Sequence, residues 1–225
     1  MDSPLFPGPR EVLAFMAGEI GSGAMPWQVG ITLARVAAAF CIAFAIGSAI
    51  GLFMGRSRLA NQVMDPLLIL FLNIPALVII ILAYVWMGLT EAAAITAVAL
   101  NKIPNVAVTV REGARALSSG LDDMAAVFRL SAGQRLRHVV LPQLQPYFAA
   151  AARSGIALIW KIVLVVELLG RSNGVGFQLH LYFQLFDVTG ILAYTLAFVV
   201  VMLCIDIFMV QPLEQRATRW RLRPA

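Results

Sequence analysis

Two lysines lie inside apolar stretches of this chain, where a charge is unusual. Lys102 and Lys161 each fall near the middle of a run long enough to cross a membrane. A charge at that depth costs about 2.5 to 3.5 kcal/mol on insertion scales, so something must compensate it. A lysine that faces a transport path attracts an anion, whereas a structural lysine pairs with an acid such as Glu167 or Asp206, or reaches the membrane surface. The sequence leaves both alternatives open.

Polar and helix-breaking residues mark two further candidate sites. Asn73 and Pro75 interrupt an apolar run, which weakens helical hydrogen bonding and either exposes carbonyl groups to a path or only kinks the helix. Glu167 opens a second segment, which is predicted to turn along the outer membrane surface and to serve as structure, gate or partner contact. Its glycines are Gly170, Gly174 and Gly176.

The residue types needed for an enzyme or a metal centre are missing from the sequence. The two histidines are far apart, and there is no His-Glu-x-x-His or Gly-x-Ser-x-Gly pattern. A phosphate-binding Gly-x-x-x-x-Gly-Lys-Ser/Thr loop is also missing, so the chain has no ATP site of that type. Cys41 and Cys204 both lie in apolar runs and indicate buried side chains rather than a redox pair.

Composition identifies an integral membrane protein. The chain is 60% hydrophobic and only 13% charged, with a mean hydropathy of +0.85, whereas soluble domains carry about 25% charged residues. The apolar runs are too long and uniform for barrel strands, so the predicted fold is all-α. Five spans are expected, at residues 36–54, 66–90, 92–110, 147–169 and 188–205.

The arginines indicate the orientation and the division of the chain. They cluster in three segments, after the first span, in the long connection 111–146 and in the tail after Pro212, and such segments are typically cytoplasmic. This distribution places the N-terminus outside, and it accounts for the +5 net charge without nucleic acid. The predicted division is one membrane domain, 1–225, with a lead-in at 1–28, spans within 29–110 and 147–212, a cytoplasmic loop at 111–146 and a basic tail at 213–225.

The most informative connection is residues 122–142, which we call the hook. It contains two short helical patterns split at Ser131, where the sequence Ser-Ala-Gly-Gln fits a capping box and predicts the start of a new helix. A chain that merely reverses direction does not need such an element. The hook is therefore a candidate contact for a partner protein on the side where arginines collect.

Four segments follow one another in a distinctive order: TLARV at 32–36, DPLLILFLNIPAL at 65–77, the hook, and ELLGRSNGVGF at 167–177. Together they resemble the permease subunit of a binding-protein-dependent ABC importer of the nitrate, sulfonate and taurine type. The resemblance covers nearly the whole chain. It implies a type I permease fold in the bacterial inner membrane, alternating access and a small, anionic solute.

The resemblance assigns the hook to the coupling helix that enters a groove of the ATP-binding subunit. Alignment on Pro142 places Asp123 and Ala125 in the family's Glu-Ala-Ala pattern and Arg129 on its glycine. Arginine there is strained by about 1 kcal/mol in a left-handed turn, or the turn differs. The residues assigned to coupling are Asp123, Ala125, Arg129, Ser131, Gln134, Arg135, Leu141 and Pro142.

The resemblance also implies the partners. ATP and Mg²⁺ would be bound by separate ATP-binding cassette subunits, with no cofactor on this chain, and a periplasmic or lipid-anchored binding protein would deliver the solute. The second permease is either another copy or, as Arg129 led us to hypothesise, a different and more typical subunit. Six spans are usual in this family, so we expect that a first helix is absent or that the start was assigned late. The alternative is an ATP-independent secondary transporter or channel.

Overall fold

The computed structural model describes residues 6–218, which are helical apart from short connections. The tail arginines Arg219, Arg221 and Arg223 lie outside the described residues, as do residues 1–5 and the side chain of Asp122. The predicted all-α fold is confirmed. The α-helices are α1 Pro9–Gly21, α2 Ala24–Arg56, α3 Arg58–Asn73, α4 Ala76–Met87, α5 Glu91–Arg115, α6 Ser119–Val127, α7 Ala132–Arg135, α8 Leu141–Gly170, α9 Val175–Gln184, α10 Val188–Ile205 and α11 Gln211–Thr218.

Four helical segments in the described residues are long and apolar enough to cross a membrane, and α3 with α4 makes a fifth if the bent pair is one span. The first of them begins at Ala24, well before the predicted start at Val36. The prediction stopped the span at Arg35 because a charge normally ends an apolar run. The helix continues through Arg35 because acidic partners from two other helices surround it.

The predicted span at 66–90 is broken in the middle. Helices α3 and α4 meet at an angle of 95° across Ile74 and Pro75. Ile74 is extended, with φ −74° and ψ 124°, as expected for a residue before proline. The side chain of Asn73 closes the end of α3 by donating a hydrogen bond to the Ile69 carbonyl, at 2.7 Å. The interruption is therefore a sharp turn between two helices rather than a kink.

The pair α2 and α5 forms the centre of the bundle. Gly47, Gly51 and Gly55 repeat every four residues along α2 and let the two backbones approach closely. A Cβ atom at Gly47 would lie 2.7 Å from Val106 Cβ and 2.8 Å from the Ile103 carbonyl oxygen. Helix α8 packs on the same pair through Ile159 and neighbouring buried residues.

Two π-helical turns, Leu136–Val140 before α8 and Asp206–Val210 before α11, lie near the hook end of the bundle. In each turn a backbone amide bonds five residues back, from Leu141 to Leu136 and from Gln211 to Asp206. Both are followed by a proline, at Pro142 and Pro212. Because proline lacks an N–H and crowds the carbonyl four residues earlier, the wider turn accommodates it.

Candidate functional site

The end of the bundle opposite the hook contains four charged side chains in contact, Arg35, Glu91, Glu167 and Arg171, which we call the charge cluster. Arg35 on α2 is 4% exposed and Glu167 on α8 is fully buried, and their charged groups are 2.7 Å apart. Arg35 also forms a forked pair with Glu91, the first residue of α5, at 2.6 and 2.8 Å. Arg171 contacts the same Glu91 carboxylate at 2.6 Å. Two cations thus balance two anions.

The carboxylate of Glu167 is fully engaged by hydrogen bonds besides its ion pair. It accepts from the hydroxyl of Thr32 at 2.9 Å and from the backbone amide of Gly176 at 2.8 Å. Gly174 has a φ of +102°, and a Cβ there would overlap the Glu167 carboxylate. These contacts hold the start of α9 against α2 and α8, so the loop glycines serve to bring the backbone onto a buried acid.

The loop between α8 and α9 is fastened by Arg35 as well. Its guanidinium donates to the backbone carbonyl of Asn173 at 2.9 Å and to the side-chain carbonyl of the same residue. Tyr84 on α4 donates to the Val166 carbonyl at 2.8 Å. The charge cluster therefore joins α2, α5, α8 and the α9 loop, and Tyr84 fastens α4 to α8 beside it.

Sequence reasoning identified Glu167 but not its partner. The alternative that Glu167 or Asp206 pairs with a lysine is wrong for the described residues, since Glu167 pairs with Arg35 and Asp206 accepts from Gln211 at 2.9 Å. Arg35 lies within the segment 32–36 that carries the resemblance, immediately before the predicted span 36–54. The missed signal was an arginine at helical spacing from Thr32, inside a run that could have been extended to Ala24.

The hook has the helix–turn–helix form predicted from its capping box. Ser131 Oγ accepts from the amide of Gln134 at 3.3 Å, and Gln134 Oε1 accepts from the amide of Ser131 at 2.9 Å. Helix α6 ends with paired bonds from Leu130 to Ala125 and from Arg129 to Ala126, both 3.0 Å. This arrangement is a Schellman motif, whose turn residue is usually glycine. Here it is Arg129, with φ +49°.

The hook exposes apolar side chains around this turn. Val127 is 79% exposed and Phe128 is 71% exposed, while Ala125 is buried against the rest of the chain. Ser118, at the start of the connection, bonds through its amide to Gln143 Oε1 at 3.0 Å, which ties the loop to α8. An apolar tip on a braced turn has the form of a docking surface.

The two lysines occupy different environments. Lys102 on α5 is 2% exposed, and its ammonium group lies 3.5 Å from the carbonyl of Ser154 on α8. Lys161 on α8 is exposed, with its Nζ 5.5 Å from the ring centre of Trp160. Neither lysine belongs to an ion pair found in the described residues, whose ion pairs all use arginine.

The described residues contain no group of three or more histidine, cysteine or acidic side chains that could hold a metal ion. Asn73 and Pro75 are exposed at the bend between α3 and α4, away from the charge cluster. The structure thus gathers Glu167 and its glycines at one end and the hook at the other. The lysines lie between them, on α5 and α8.

The sequence pattern of the family described as "binding-protein-dependent transport system inner membrane component" matches residues 20–217. The chain belongs to this family. The permease is therefore a transport subunit of the inner membrane and not an enzyme. SsuC of Bacillus subtilis (strain 168), whose name refers to aliphatic sulfonates, is 27% identical over 221 residues, covering 98% of the permease and 80% of SsuC. The taurine transport system permease protein TauC of Escherichia coli (strain K12) is 26% identical over 224 residues, covering 97% and 81%.

The fold also matches membrane subunits of solved transporters. A solved structure of an amino acid ABC transporter with histidines superimposes with a TM-score of 0.71 at 18% identity, covering 90% of the permease and 98% of that chain. At this identity the match concerns the fold alone. It supports the arrangement of helices described above. It does not identify the solute, which has to be inferred from the residues of this chain.

Proposed function

We propose that the permease is one of two membrane subunits of an ATP-driven importer for a small anion. The observation that carries the proposal is the hook, a braced turn with exposed Val127 and Phe128 at the end of the bundle where α2 and α5 finish in arginines. Its position and shape suit insertion into an ATP-binding subunit, which would hold ATP and Mg²⁺. ATP hydrolysis there would move the hook, and the hook would move α8. The transport path would then open alternately to the two sides of the membrane.

The residues that we assign to coupling belong to the hook and its continuation into α8. Asp123 and Arg129 flank the exposed apolar tip, and buried Ala125 holds α6 in place. The other assigned residues form the capping box, the helix that follows it and the proline turn. They are Ser131, Gln134, Arg135, Leu141 and Pro142.

The orientation that we propose puts the hook in the cytoplasm and the charge cluster outside. The arginines that end α2 and α5, Arg56 and Arg115, lie at the hook end, which agrees with the excess of basic residues in cytoplasmic segments. The N-terminus would then be outside and the C-terminus inside. A binding protein would dock on the outer face, around Gly170, Gly174, Gly176 and α9, which the charge cluster holds in position. Glu167 would act from within as the anchor of this face or gate.

The relatives suggest the class of solute. Their names refer to sulfonates and taurine in the two proteins above, and to bicarbonate and nitrate in others. These are small molecules with a negatively charged group. Lys102, Lys161 and the carbonyl groups freed at Asn73 and Pro75 are the residues that we assign to the path for such an anion.

The subunit partner remains part of the proposal. Either a second copy or a different permease would complete the path. Arg129 in place of the usual turn glycine is the observation that raises the second alternative, a more typical subunit with its own hook.

The test is to tag the permease, extract it in mild detergent from native membranes and identify its partners by mass spectrometry. We expect an ATP-binding subunit to be recovered, and Phe128→Asp to abolish both its recovery and ATP-dependent uptake. Leu59→Asp, also an exposed apolar position but outside the hook, is the matched control and should retain the partner. Uptake that continues without ATP, with no partner bound, would instead indicate a secondary transporter.

A further inference from the structure

The permease contains only two lysines among its 17 basic residues, and both lie in membrane-spanning helices. Arginine occupies every other basic position, including those of the charge cluster and the hook. The two side chains differ chemically. Arginine fits planar, forked ion pairs, whereas the lysine ammonium is a compact point charge on a flexible stem that exchanges partners readily. Lysine therefore suits a charge that binds a passing ion and releases it.

Lys161 lies on a face of α8 that is open in this chain. Ala157 and Ser154, one and two turns before it, belong to the same exposed face. The distance from Lys161 to the end of α8 at Gly170 is about 14 Å of helix, close to half the hydrocarbon thickness. An ammonium group facing lipid at this depth is unfavourable, so the face borders a polar space or another subunit.

Lys102, on α5, contacts the part of α8 that carries this face. Its Nζ approaches the backbone carbonyl of Ser154, and its stem packs near Gly155, where a Cβ would lie 3.6 Å from Lys102 Cε. The two ammonium groups thus lie along the same segment of α8, at positions about 10 Å apart along the helix axis. Half-buried Asn101 and Asn105 next to Lys102 add polar side chains on α5.

Apart from Asp123 in the hook, every acid whose side chain the structure describes is already engaged, so the membrane-spanning helices of a second copy would offer these lysines no free carboxylate. The described contacts bind each of them to an arginine, a tyrosine, an amide or a cap. They are Glu11, Glu19, Asp65, Glu91, Glu112, Glu167, Asp187, Asp206 and Glu214. A mobile anion is therefore the remaining candidate to balance the charge of Lys161 and Lys102.

We propose that the Ser154–Lys161 face of α8 is the anion-contacting wall of the path, with Lys161 as the direct contact and Lys102 as a fixed charge behind it. This inference rests on the proposed function and extends it, because it gives the permease a selectivity for anions separate from that of its binding protein. The ligand class is a small oxyanion such as a sulfonate, nitrate or bicarbonate.

Because the chain has no other lysine, amine chemistry can test each side chain directly. The intact complex in nanodiscs would be treated with a water-soluble acetylating reagent, and Lys161 and Lys102 would be quantified by mass spectrometry. We expect Lys161 to react and Lys102 to be protected. Nitrate, bicarbonate or ethanesulfonate should reduce the labelling of Lys161. Dimethyl sulfone, which is uncharged, should not. Sodium gluconate, a bulkier anion used at the same ionic strength as the test salts, should not reduce it either.

Transport by variants gives the second measurement. We expect Lys161→Met to lower the maximal rate of anion uptake about tenfold, in line with the loss of one charge-assisted contact. Lys161→Arg should restore most of the rate. Arg153→Met is the matched control, because it removes a charge from the same helix face that Glu214 already neutralises.

The outcomes separate this inference from the proposed function. Uptake that depends on ATP in the unaltered complex, but is equal in Lys161→Met and Arg153→Met, overturns the inference and leaves the importer intact. Failure of all three anions to protect Lys161 overturns it as well, and a cross-link from Lys161 to a carboxylate of a different permease would show that the wall is a subunit contact. Uptake without ATP contradicts the proposed function instead.

Discussion

The two ends of the permease differ in how much of their surface is buried within the chain. At one end, the charge cluster buries Arg35 and Glu167 and joins helices far apart in sequence. At the other end, the hook is short, built from neighbouring residues and exposes Val127 and Phe128. The first arrangement is closed within the chain, whereas the second leaves surface for a partner. In the mechanism that we propose, the partner acts on the hook, and the charge cluster is the fixed region at the opposite end.

The largest difference between the ends should appear when an arginine is removed. Arg35→Ala leaves the buried carboxylate of Glu167 without its cation, and we expect a loss of about 3 to 5 kcal/mol in stability. The matched change at the hook end is Arg111→Ala, whose partner Asp65 is 38% exposed, and there we expect about 1 kcal/mol or less. Thermal unfolding of the detergent-purified protein measures both.

A second change checks that the buried charge is the cause. Adding Glu167→Gln to Arg35→Ala removes the uncompensated carboxylate while keeping a side chain that still reaches Thr32. Part of the lost stability should return. Equal unfolding temperatures for Arg35→Ala and Arg111→Ala would contradict the contrast between a fixed end and an open end.

Glycine substitutions should sharpen the contrast at lower magnitude. Gly174→Ala places a Cβ against Glu167 and forces a left-handed backbone on alanine, so we expect a loss of about 1 to 3 kcal/mol. Gly133→Ala in the hook meets no atom within 4 Å and lies in a helix, where alanine is preferred. Its unfolding temperature should equal or exceed that of the unaltered permease.

Loss of the capping box should act on the hook alone. Ser131→Ala removes the acceptor for the Gln134 amide, which corresponds to about 1 kcal/mol of local stability. Hydrogen exchange should accelerate within α7 while α9, fastened to the charge cluster, stays unchanged. Faster exchange in α9 would mean that the two ends are not independent.

The smallest effect is expected from Arg129→Gly. Glycine removes the strain of the left-handed turn but adds freedom to the unfolded chain, so the net gain is about 0.5 kcal/mol. Exchange of the amides near the end of α6 should slow slightly, with Arg129→Ala as the control that retains the strain. Faster exchange in the glycine variant would show that the arginine side chain itself stabilises the turn.

The hook could be predicted from sequence because its determinants are local. Ser131 and Gln134 are three residues apart, and the unusual turn at Arg129 was implied by the family resemblance, through alignment on Pro142. The charge cluster could not be predicted in this way, since 132 residues separate Arg35 from Glu167 and 56 separate it from Glu91. Nothing in a single sequence indicates which distant acid meets a given arginine.

The spans show a similar limit. Apolar runs located five candidate membrane segments, and Pro75 marked the place where one of them breaks. The 95° angle of that break depends on how α4 packs against α5, which the run of apolar residues does not encode. The depth and partners of the lysines likewise required the helices to be placed side by side.

The π-helical turn at Leu136–Val140 has a consequence for the direction in which the hook points. Such a turn inserts one residue into an α-helical register, and one residue corresponds to a rotation of about 100°. Deleting a single residue there would preserve both helices yet turn Val127 and Phe128 to another side of the bundle. The direction of the hook thus depends on the number of residues in this turn as much as on their identity. Relatives with one residue more or fewer at this point should present the hook to their partners at a different angle.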